Sequence, residues 1–347
     1  MNIAFIGVGN ISGIYLKNIT QRFTEMKVVG LCDLIREKAE KAAAEYGIGK
    51  IYKDMYEAFA DPDVDIVLNI TRPAQHYEVS RQALLAGKHV YCEKPLGITL
   101  EQGRDLVRLA DEKGLMIGGA PDTFLGAGIQ TCKKLIDDGY IGRPIAASAF
   151  MMSHGPESWH PDPEFFYKQG GGPMMDMGPY YITALTYLLG RIESVVGMTS
   201  ASEERLFTCK EHYGETTKVE TPTHLTGSMR FESGAIGTII TSFDVHQSTL
   251  PRIEIYGEKG TLFVPDPNVF SGPVRLYRPE DGEIREMPLL YDYSSNSRGL
   301  GLLAMARAVR DGEKDFITSC KRTFHVLNVL TAFERSSQTG AMVMMDK

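Results

Sequence analysis

Two short blocks of the sequence carry the side chains that could do chemistry. The first is Glu93-Lys94-Pro95, which follows a short apolar run. A lysine at the end of a buried strand is held still, is partly desolvated and lies close to any ligand above the sheet. The second block is rich in glycine and holds Asp176 and Tyr180, which share a face if the block is helical. A lysine, a carboxylate and a phenol would together form a proton-transfer set.

Each block also has an ordinary structural interpretation. A Glu-Lys pair in a loop is more often a solvated ion pair than a catalytic element. Asp176 could cap a helix, and Tyr180 could be a half-buried aromatic residue of the core. The elements that surround the two blocks decide between these interpretations.

Length and composition narrow the class of protein. The 347 residues suit two domains, and 43% of them are hydrophobic. The net charge of −7 gives no support to binding of nucleic acid or of an anionic membrane. The five cysteines lack metal-ligand spacing and fit reduced thiols, so we expect a cytoplasmic protein without a metal. No apolar run reaches the roughly 20 residues that span a membrane, and a strand beginning near Met1 argues against a signal peptide.

The turn after the first strand has the pattern of a dinucleotide-binding loop. It reads Gly7-Val8-Gly9-Asn10-Ile11-Ser12 and leads into a helical pattern. Gly7 permits the tight turn, and Gly9 lets the backbone approach a pyrophosphate at the helix N-terminus. We expect Asn10 and Ile11 to border the same cofactor site.

An acidic residue follows the second strand. Asp33 is placed to accept hydrogen bonds from the ribose hydroxyls of the cofactor, and it would repel a 2′-phosphate. This position favours NAD, although Arg36 nearby keeps NADP possible. The structural alternative for Asp33 is a helix cap.

Strands alternate with helices as far as residue 118, which predicts a parallel doubly wound sheet. We count the loop from Asn69 as following the fourth strand and the turn at Lys94 as following the fifth. Both then lie at the carboxyl edge, where ligands bind. The residues expected to line the cofactor site there are Asn69, Thr71, Pro73, His76, Glu93 and Lys94. A structural role at the start of a helix fits His76 at least as well.

The pattern changes from Asp122 onward. Asp122 is expected to cap a helix near Leu125, and strand-like runs joined by short glycine turns then predict a mostly antiparallel sheet. The fold class is therefore α/β, with an N-terminal Rossmann domain at 1–121. An α+β domain with a large open sheet follows at 122–347, for substrate binding and oligomerisation. Its terminal helices could pack back on the first domain.

The glycine-rich block between the first two strands of the second domain is its most unusual segment. Pro173 suits a first helical turn, whereas Pro179 does not suit a helix interior and predicts a kink. His154 and Trp159 upstream, with Tyr181 in the block, are candidates for binding substrate.

Taken together, these motifs resemble the Gfo/Idh/MocA family of dehydrogenases, and the resemblance covers essentially the whole chain. The residues that carry it are Gly7-x-Gly9-x-x-Ser12, Asp33, Glu93-Lys94-Pro95 and Gly171-Gly172-x-x-x-Asp176-x-Gly178-x-Tyr180. It implies a homodimer or homotetramer that transfers a hydride reversibly between NAD(P) and a hydroxyl carbon. The substrate it implies is a sugar, a sugar derivative or a cyclitol.

The resemblance also implies a role for each residue of the two blocks. Lys94 would be the catalytic lysine and Asp176 the aspartate that orients substrate, whereas many members carry His at the position of Tyr180. A free phenol has a pKa of about 10, so Tyr180 needs a nearby cation to act as a base at neutral pH. Lys94 could supply that charge or move the proton itself. Relatives also suggest a cis peptide bond before Pro95.

Two other functions stay open. A regulator that senses NAD(P) without turnover would be expected to lose Lys94 or Tyr180, and both are present. A glycosidase that uses NAD transiently would share the nucleotide site and the lysine, so the sequence discriminates poorly against it.

Overall fold

The computed structural model describes residues 1–346 and divides into two compact units. The first unit comprises Met1–Asp122 and Asn296–Leu327, and the second comprises Thr123–Ser295 and the chain from Asn328 on. The boundary predicted at 121/122 lies one residue from the first of these divisions. The first unit is therefore built from two separate parts of the chain.

Five parallel strands form the sheet of the first unit. They are β1 (Asn2–Ile6), β2 (Lys27–Cys32), β3 (Ile66–Asn69), β4 (His89–Cys92) and β5 (Ile117–Gly119). Their order is β2-β1-β3-β4-β5. Every residue of β3 is buried, as expected for a strand that is covered on both faces. The predicted parallel sheet is confirmed.

Five helices of the first unit connect these strands. They are α1 (Ser12–Gln21), α2 (Arg36–Tyr46), α3 (Met55–Ala60), α4 (Pro73–Leu85) and α5 (Leu100–Lys113). The Asp54 and Thr99 side chains cap the backbone N–H groups that open α3 and α5. Gly47 and Gly114, both in the left-handed conformation, end α2 and α5.

The two loops that were assigned to the fourth and fifth strands follow β3 and β4 instead. The predicted count was one too high, because the segment between β2 and β3 contributes only an isolated bridge from Ile51 to Leu31. Strands β3 and β4 are direct neighbours, with Asn69 opposite Cys92. The loops that begin at Ile70 and Glu93 therefore leave the same edge of the sheet side by side.

The second unit is built on a large mixed sheet. Its elements up to Ser295 are α6 (Ala127–Asp137), β6 (Pro144–Met152), α7 (Gly172–Asp176), α8 (Gly178–Leu189), β7 (Ile192–Ser200), β8 (Glu204–Leu206), β9 (Thr216–Lys218), β10 (His224–Phe231), β11 (Ile236–Ser242), β12 (Ile253–Gly257), β13 (Thr261–Val264), β14 (Val274–Tyr277) and β15 (Ile284–Met287). The final elements of the chain are α9 (Leu300–Asp311), α10 (Cys320–Thr339) and β16 (Val343–Met344). The sequence did not predict the short strands β8, β9, β15 and β16.

Nine of these strands pair in the order β15-β14-β13-β12-β6-β11-β10-β7-β16, and β8 and β9 form a separate hairpin. The pairing of β6 with β11 is parallel and the others in this sheet are antiparallel, so the predicted mostly antiparallel sheet is confirmed. Gly197 and Gly227 lie opposite each other in β7 and β10. A Cβ at Gly227 would lie 2.5 Å from the ring of Phe333, so these glycines make room for a fully buried aromatic side chain.

Asp122 does not cap the helix predicted near Leu125. Helix α6 begins at Ala127 after Gly126, and the Asp122 carboxylate instead accepts hydrogen bonds from the N–H groups of Gly299 (2.7 Å) and Gly301 (3.1 Å). It therefore serves the first turn of α9, in the first unit. Within residues 1–346, no helix combines the length and apolarity that crossing a bilayer requires.

Candidate active site

The glycine-rich turn after β1 contains glycines of two kinds. Gly7 has a φ of +99°, and a Cβ there would lie 2.7 Å from the carbonyl oxygen of Ile70. The fold itself therefore requires Gly7. Gly9 has no positive φ, and a Cβ added to it would have no atom within 4 Å. The remaining reason for a glycine is room for a ligand close to the backbone.

Helix α1 begins at Ser12, three positions after Gly9. The backbone N–H and the hydroxyl of Ser12 both donate to the carbonyl oxygen of Gly9, at 3.0 and 2.7 Å. Asn10 is exposed, and Ile11 occupies the N-cap position without a capping bond from its side chain. No acidic residue lies in the first turn, so the positive end of the helix is suited to a phosphate.

Asp33 joins the end of β2 to this turn. Its Oδ2 accepts from the Val8 N–H at 2.6 Å, and its Oδ1 accepts from the Ile35 N–H at 2.8 Å. A carboxylate keeps further lone pairs for hydroxyl donors, so selection of NAD by Asp33 stays a prediction. The side chain of Arg36 lies 2.9 Å from Glu40 in an exposed ion pair.

The loop after β3 is held by two buried polar side chains. The Asn69 Nδ2 donates to the carbonyl oxygen of His76 (3.0 Å) and to Ser80 (2.9 Å), and its Oδ1 accepts from the Thr71 hydroxyl (2.7 Å). The Asn69 and His76 residues are 0% and 1% exposed. The expected direct contact of these two side chains with a cofactor is corrected, because both are committed to protein partners. Thr71 and Pro73 are partly exposed beside them.

Hydrogen bonds of Glu93 fix the turn that carries Lys94. The Glu93 N–H donates to the carbonyl oxygen of Asn69 at 2.8 Å. The Glu93 carboxylate accepts from the Tyr15 hydroxyl (2.7 Å) and from the N–H of Lys94 (3.0 Å). Burial is the main cause that raises the pKa of Tyr15, so the phenol stays protonated and keeps donating. Glu93 and Pro95 are buried whereas Lys94 is partly exposed, and the Lys94–Pro95 peptide is cis.

Tyr15 was not found from the sequence. It lies in α1, where a tyrosine among apolar residues reads as an ordinary core position. Its partner Glu93 is 78 residues away, and no local pattern relates the two.

In the second unit, the glycine-rich block forms two short helices rather than one. Helix α7 ends at Asp176 and α8 begins at Gly178, with the break at Met177. The kink predicted from Pro179 is therefore present, and Pro179 lies in the first turn of α8. A shared face for Asp176 and Tyr180 no longer follows from their spacing, since the spacing crosses the break. Asp176 is partly exposed and Tyr180 is 8% exposed.

Tyr181 belongs to the core of the second unit. It is 0% exposed, and its hydroxyl donates to the carbonyl oxygen of Phe150 at 3.4 Å. Its expected contact with substrate is therefore corrected. His154 and Trp159 are exposed, and the ring of His154 stacks on His246 with centroids 3.8 Å apart.

A buried charge cluster anchors the segment that carries His154 and Trp159. Arg205 pairs with Glu157 at 3.4 Å and with Asp244, and its guanidinium lies 5.4 Å from the centroid of the Tyr167 ring. Arg205 and Glu157 are both under 9% exposed. The members lie far apart in sequence, so no spacing could reveal the cluster. Across residues 1–346, no group of three or more His, Cys, Asp or Glu side chains is arranged to hold a metal.

Comparison with known proteins matches both units. Residues 1–119 match a family described as an oxidoreductase family with an NAD-binding Rossmann fold, and residues 129–263 match the GFO/IDH/MocA C-terminal domain. A 1,5-anhydro-D-fructose reductase of Ensifer adhaerens is 31% identical over 245 residues, which are 70% of this chain and 69% of the reductase. A scyllo-inositol 2-dehydrogenase (NAD(+)) of Bacillus subtilis (strain 168) is 26% identical over 344 residues, or 99% of this chain and 96% of the dehydrogenase.

Solved structures share the fold along the whole chain. An NAD binding oxidoreductase from Klebsiella pneumoniae superposes with a TM-score of 0.84 at 22% identity, covering 100% of this chain and 99% of that one. A levoglucosan dehydrogenase in complex with NADH and levoglucosan superposes with a TM-score of 0.84 at 20% identity, covering 100% of each chain.

Proposed function

Because the chain belongs to the Gfo/Idh/MocA family of NAD-dependent oxidoreductases, we propose that it transfers a hydride between NAD and a hydroxyl carbon of a sugar, sugar derivative or cyclitol, with Lys94 and Tyr180 handling the proton. The observation that carries the proposal is the fixed backbone of Lys94. The Lys94 N–H donates to the carboxylate of Glu93 at the end of β4. Lys94 is partly exposed, whereas Glu93 and Pro95 on either side of it are buried. A lysine held in this way can present its charge at one place.

The first unit is an NAD-binding Rossmann domain, and its residues fit the cofactor. The backbone at Gly9 and the first turn of α1 would hold the pyrophosphate, since within residues 1–346 only the chain neighbours of Gly9 approach a Cβ added there to within 4 Å. Asp33 would accept from the ribose hydroxyls. When bound, NAD supplies the hydride acceptor for oxidation of the substrate.

Protein side chains would remove the proton from the substrate hydroxyl. We assign to the Lys94 ammonium the stabilisation of negative charge that develops on the substrate oxygen, a contribution that is usually large. Tyr180 accepts the proton as its phenolate, a form that the positive charge of Lys94 would favour, and it becomes the neutral phenol. Asp176 accepts a hydrogen bond from a neighbouring hydroxyl, which orients the substrate. These assignments to Asp176 and Tyr180 rest on the resemblance of the sequence motifs. Relatives named after scyllo-inositol and 1,5-anhydro-D-fructose support a polyhydroxylated substrate.

The test is Lys94→Ala in an enzyme assayed with a panel of sugars, sugar acids and cyclitols. With the best substrate of the panel, turnover should fall by about 1,000-fold or more while NADH still binds. Lys88→Ala is the matched control, because Lys88 precedes the same strand and its ammonium donates to the carbonyl oxygens of Asp61 and Val64. We expect this control to retain turnover.

Three outcomes would refute the proposal. Retained turnover in Lys94→Ala would remove the role of that lysine. An unaltered protein that binds NADH and turns over no member of the panel would favour a regulator. Tightly held NAD without net NADH production, together with release of nitrophenol from an aryl glycoside, would instead favour the glycosidase.

A further inference from the structure

His76 bridges the two loops that leave the carboxyl edge after β3 and β4. It is the fourth residue of α4 and is 1% exposed. Its Nδ1 lies 2.7 Å from the carbonyl oxygen of Pro95, and its Nε2 lies 3.0 Å from the carbonyl oxygen of Thr71. Both partners are oxygens that can only accept a hydrogen bond.

The chemistry of imidazole decides how the ring can satisfy two acceptors. A neutral ring carries one N–H and one lone pair, and only the protonated ring donates from both nitrogens. A lone pair facing a carbonyl oxygen at 2.7 Å would be repelled, so the hydrogen of the neutral ring belongs on Nδ1. The neutral ring therefore holds Pro95, and the protonated ring holds Thr71 as well.

The charges around the ring act in both directions. Burial is the largest influence and lowers the pKa of His76, and the nearby Lys94 also lowers it. The carbonyl oxygens of Pro95 and Thr71 and the carboxylate of Glu93 raise it. The N-terminus of α4 further disfavours a cation. The pKa of His76 lies below its ordinary value as a result, so the neutral ring prevails at pH 7.

We propose that His76 is a positioning residue for Lys94, which acts through the hydrogen bond from its Nδ1 to the carbonyl oxygen of Pro95. The Lys94 N–H is held on one side by Glu93 at 3.0 Å, and the carbonyl of the next residue is held on the other side by His76. The Lys94 side chain thus extends from a backbone that is fixed before and after it. A displacement of 1 Å at a catalytic group costs about 100-fold in rate. This inference rests on the function proposed for Lys94.

A pair of amide variants separates the two contacts of the ring. The amide nitrogen of asparagine lies as many bonds from Cα as Nδ1 of histidine, and that of glutamine lies as many as Nε2. His76→Asn therefore keeps a donor for Pro95, whereas His76→Gln moves the donor towards Thr71. We expect kcat to fall by about 10- to 100-fold in His76→Gln and to stay within about 3-fold in His76→Asn. The Kd for NADH should change by less than about 3-fold in both.

His89→Gln is the matched control. His89 is a partly buried histidine at the start of β4, the end of the strand away from Lys94. Its Nδ1 accepts from the Met116 N–H at 2.9 Å. We expect its kcat to equal that of the unaltered protein. A lower kcat here would show that any histidine near β4 has the same effect, and would overturn the inference.

Three further results would overturn the inference while Lys94→Ala remains inactive. They are equal losses of kcat in the Asn and Gln variants, no loss in either, and weaker NADH binding with kcat unchanged at saturation. The last would mark a cofactor contact. A separate measurement comes from ¹⁵N spectra of the histidine side chains of the unaltered protein without cofactor. A hydrogen on Nδ1 of His76 at neutral pH supports the inference, and a hydrogen on Nε2 alone overturns it. Retained turnover in Lys94→Ala would instead mark failure of the proposed function.

Discussion

Replacing Gly7 and Gly9 by alanine, one at a time, separates the two reasons for a glycine in the turn after β1. Gly7 has a φ of +99°, and its new Cβ would lie 2.7 Å from the carbonyl oxygen of Ile70. At Gly9 no atom lies within 4 Å of the new Cβ. We therefore expect Gly7→Ala to damage the fold and Gly9→Ala to damage only the binding of NAD.

The structure sets the size of each effect. A non-glycine residue at a positive φ costs about 1–3 kcal/mol, and crowding in a packed region costs about 1–3 kcal/mol more. The free energy of unfolding should therefore fall by about 2–6 kcal/mol in Gly7→Ala, and by no more than about 0.5 kcal/mol in Gly9→Ala. If the same crowding cost falls on the pyrophosphate in Gly9→Ala, the Kd for NADH rises by about 5- to 150-fold.

Urea unfolding without cofactor measures the first effect, and a fluorescence titration with NADH measures the second. Gly49→Ala is the matched control, because Gly49 also has no positive φ and its added Cβ would meet no side chain or backbone of residues 1–346 within 4 Å. It should leave Kd unchanged and alter the free energy of unfolding by no more than about 1 kcal/mol. The reasoning is refuted if Gly9→Ala unfolds as readily as Gly7→Ala, or if it binds NADH as tightly as the unaltered protein.

Two further predictions concern carboxylates of the first unit. Asp33→Asn removes the charge that repels a 2′-phosphate, so the ratio of kcat/KM with NADP to that with NAD should rise by at least about 10-fold, and an unchanged ratio would contradict the role of Asp33. Burial raises the pKa of Asp122 to about 6, so between about pH 4 and 6 the folded protein keeps a proton that the unfolded chain has lost, and stability falls as pH rises. Asp122→Asn should remove that fall, which amounts to about 3 kcal/mol. The measurement compares the free energies of unfolding of the variant and the unaltered protein across this pH range. If the two free energies change with pH in parallel, the role given to Asp122 is wrong.

The sheet of the first unit could be predicted because its determinants are local. Apolar runs bounded by glycine and charge mark the strands, so their positions could be recognised without knowledge of their partners, although the count was one too high. The break at Met177 could likewise be predicted, because a proline such as Pro179 is not tolerated in the interior of a helix. In these cases the residue and its physical consequence lie within one turn of each other.

Features that depend on distant partners could not be predicted. Asp122 reads as the start of the next helix, yet its carboxylate is bound 177 residues further along the chain. Tyr180 and Tyr181 are neighbours of the same type, and only packing shows that Tyr181 is sealed in the core. His76 has the position of a ligand residue, and only its two carbonyl partners show that the ring faces the protein.

The composition of the first unit from two parts of the chain affects how the protein is made. Asn18 donates to the carbonyl oxygens of Asn296 and Arg298, and Gly118 packs against Phe316 so closely that a Cβ there would lie 2.5 Å from the ring. Ribosomes add about 5–20 residues per second, so the strands of the nucleotide-binding sheet wait about 10–35 s for Asn296 to be synthesised. During that interval the nascent sheet lacks the contacts that the segment from Asn296 to Leu327 later provides. The first unit is therefore complete only after translation has passed Leu327.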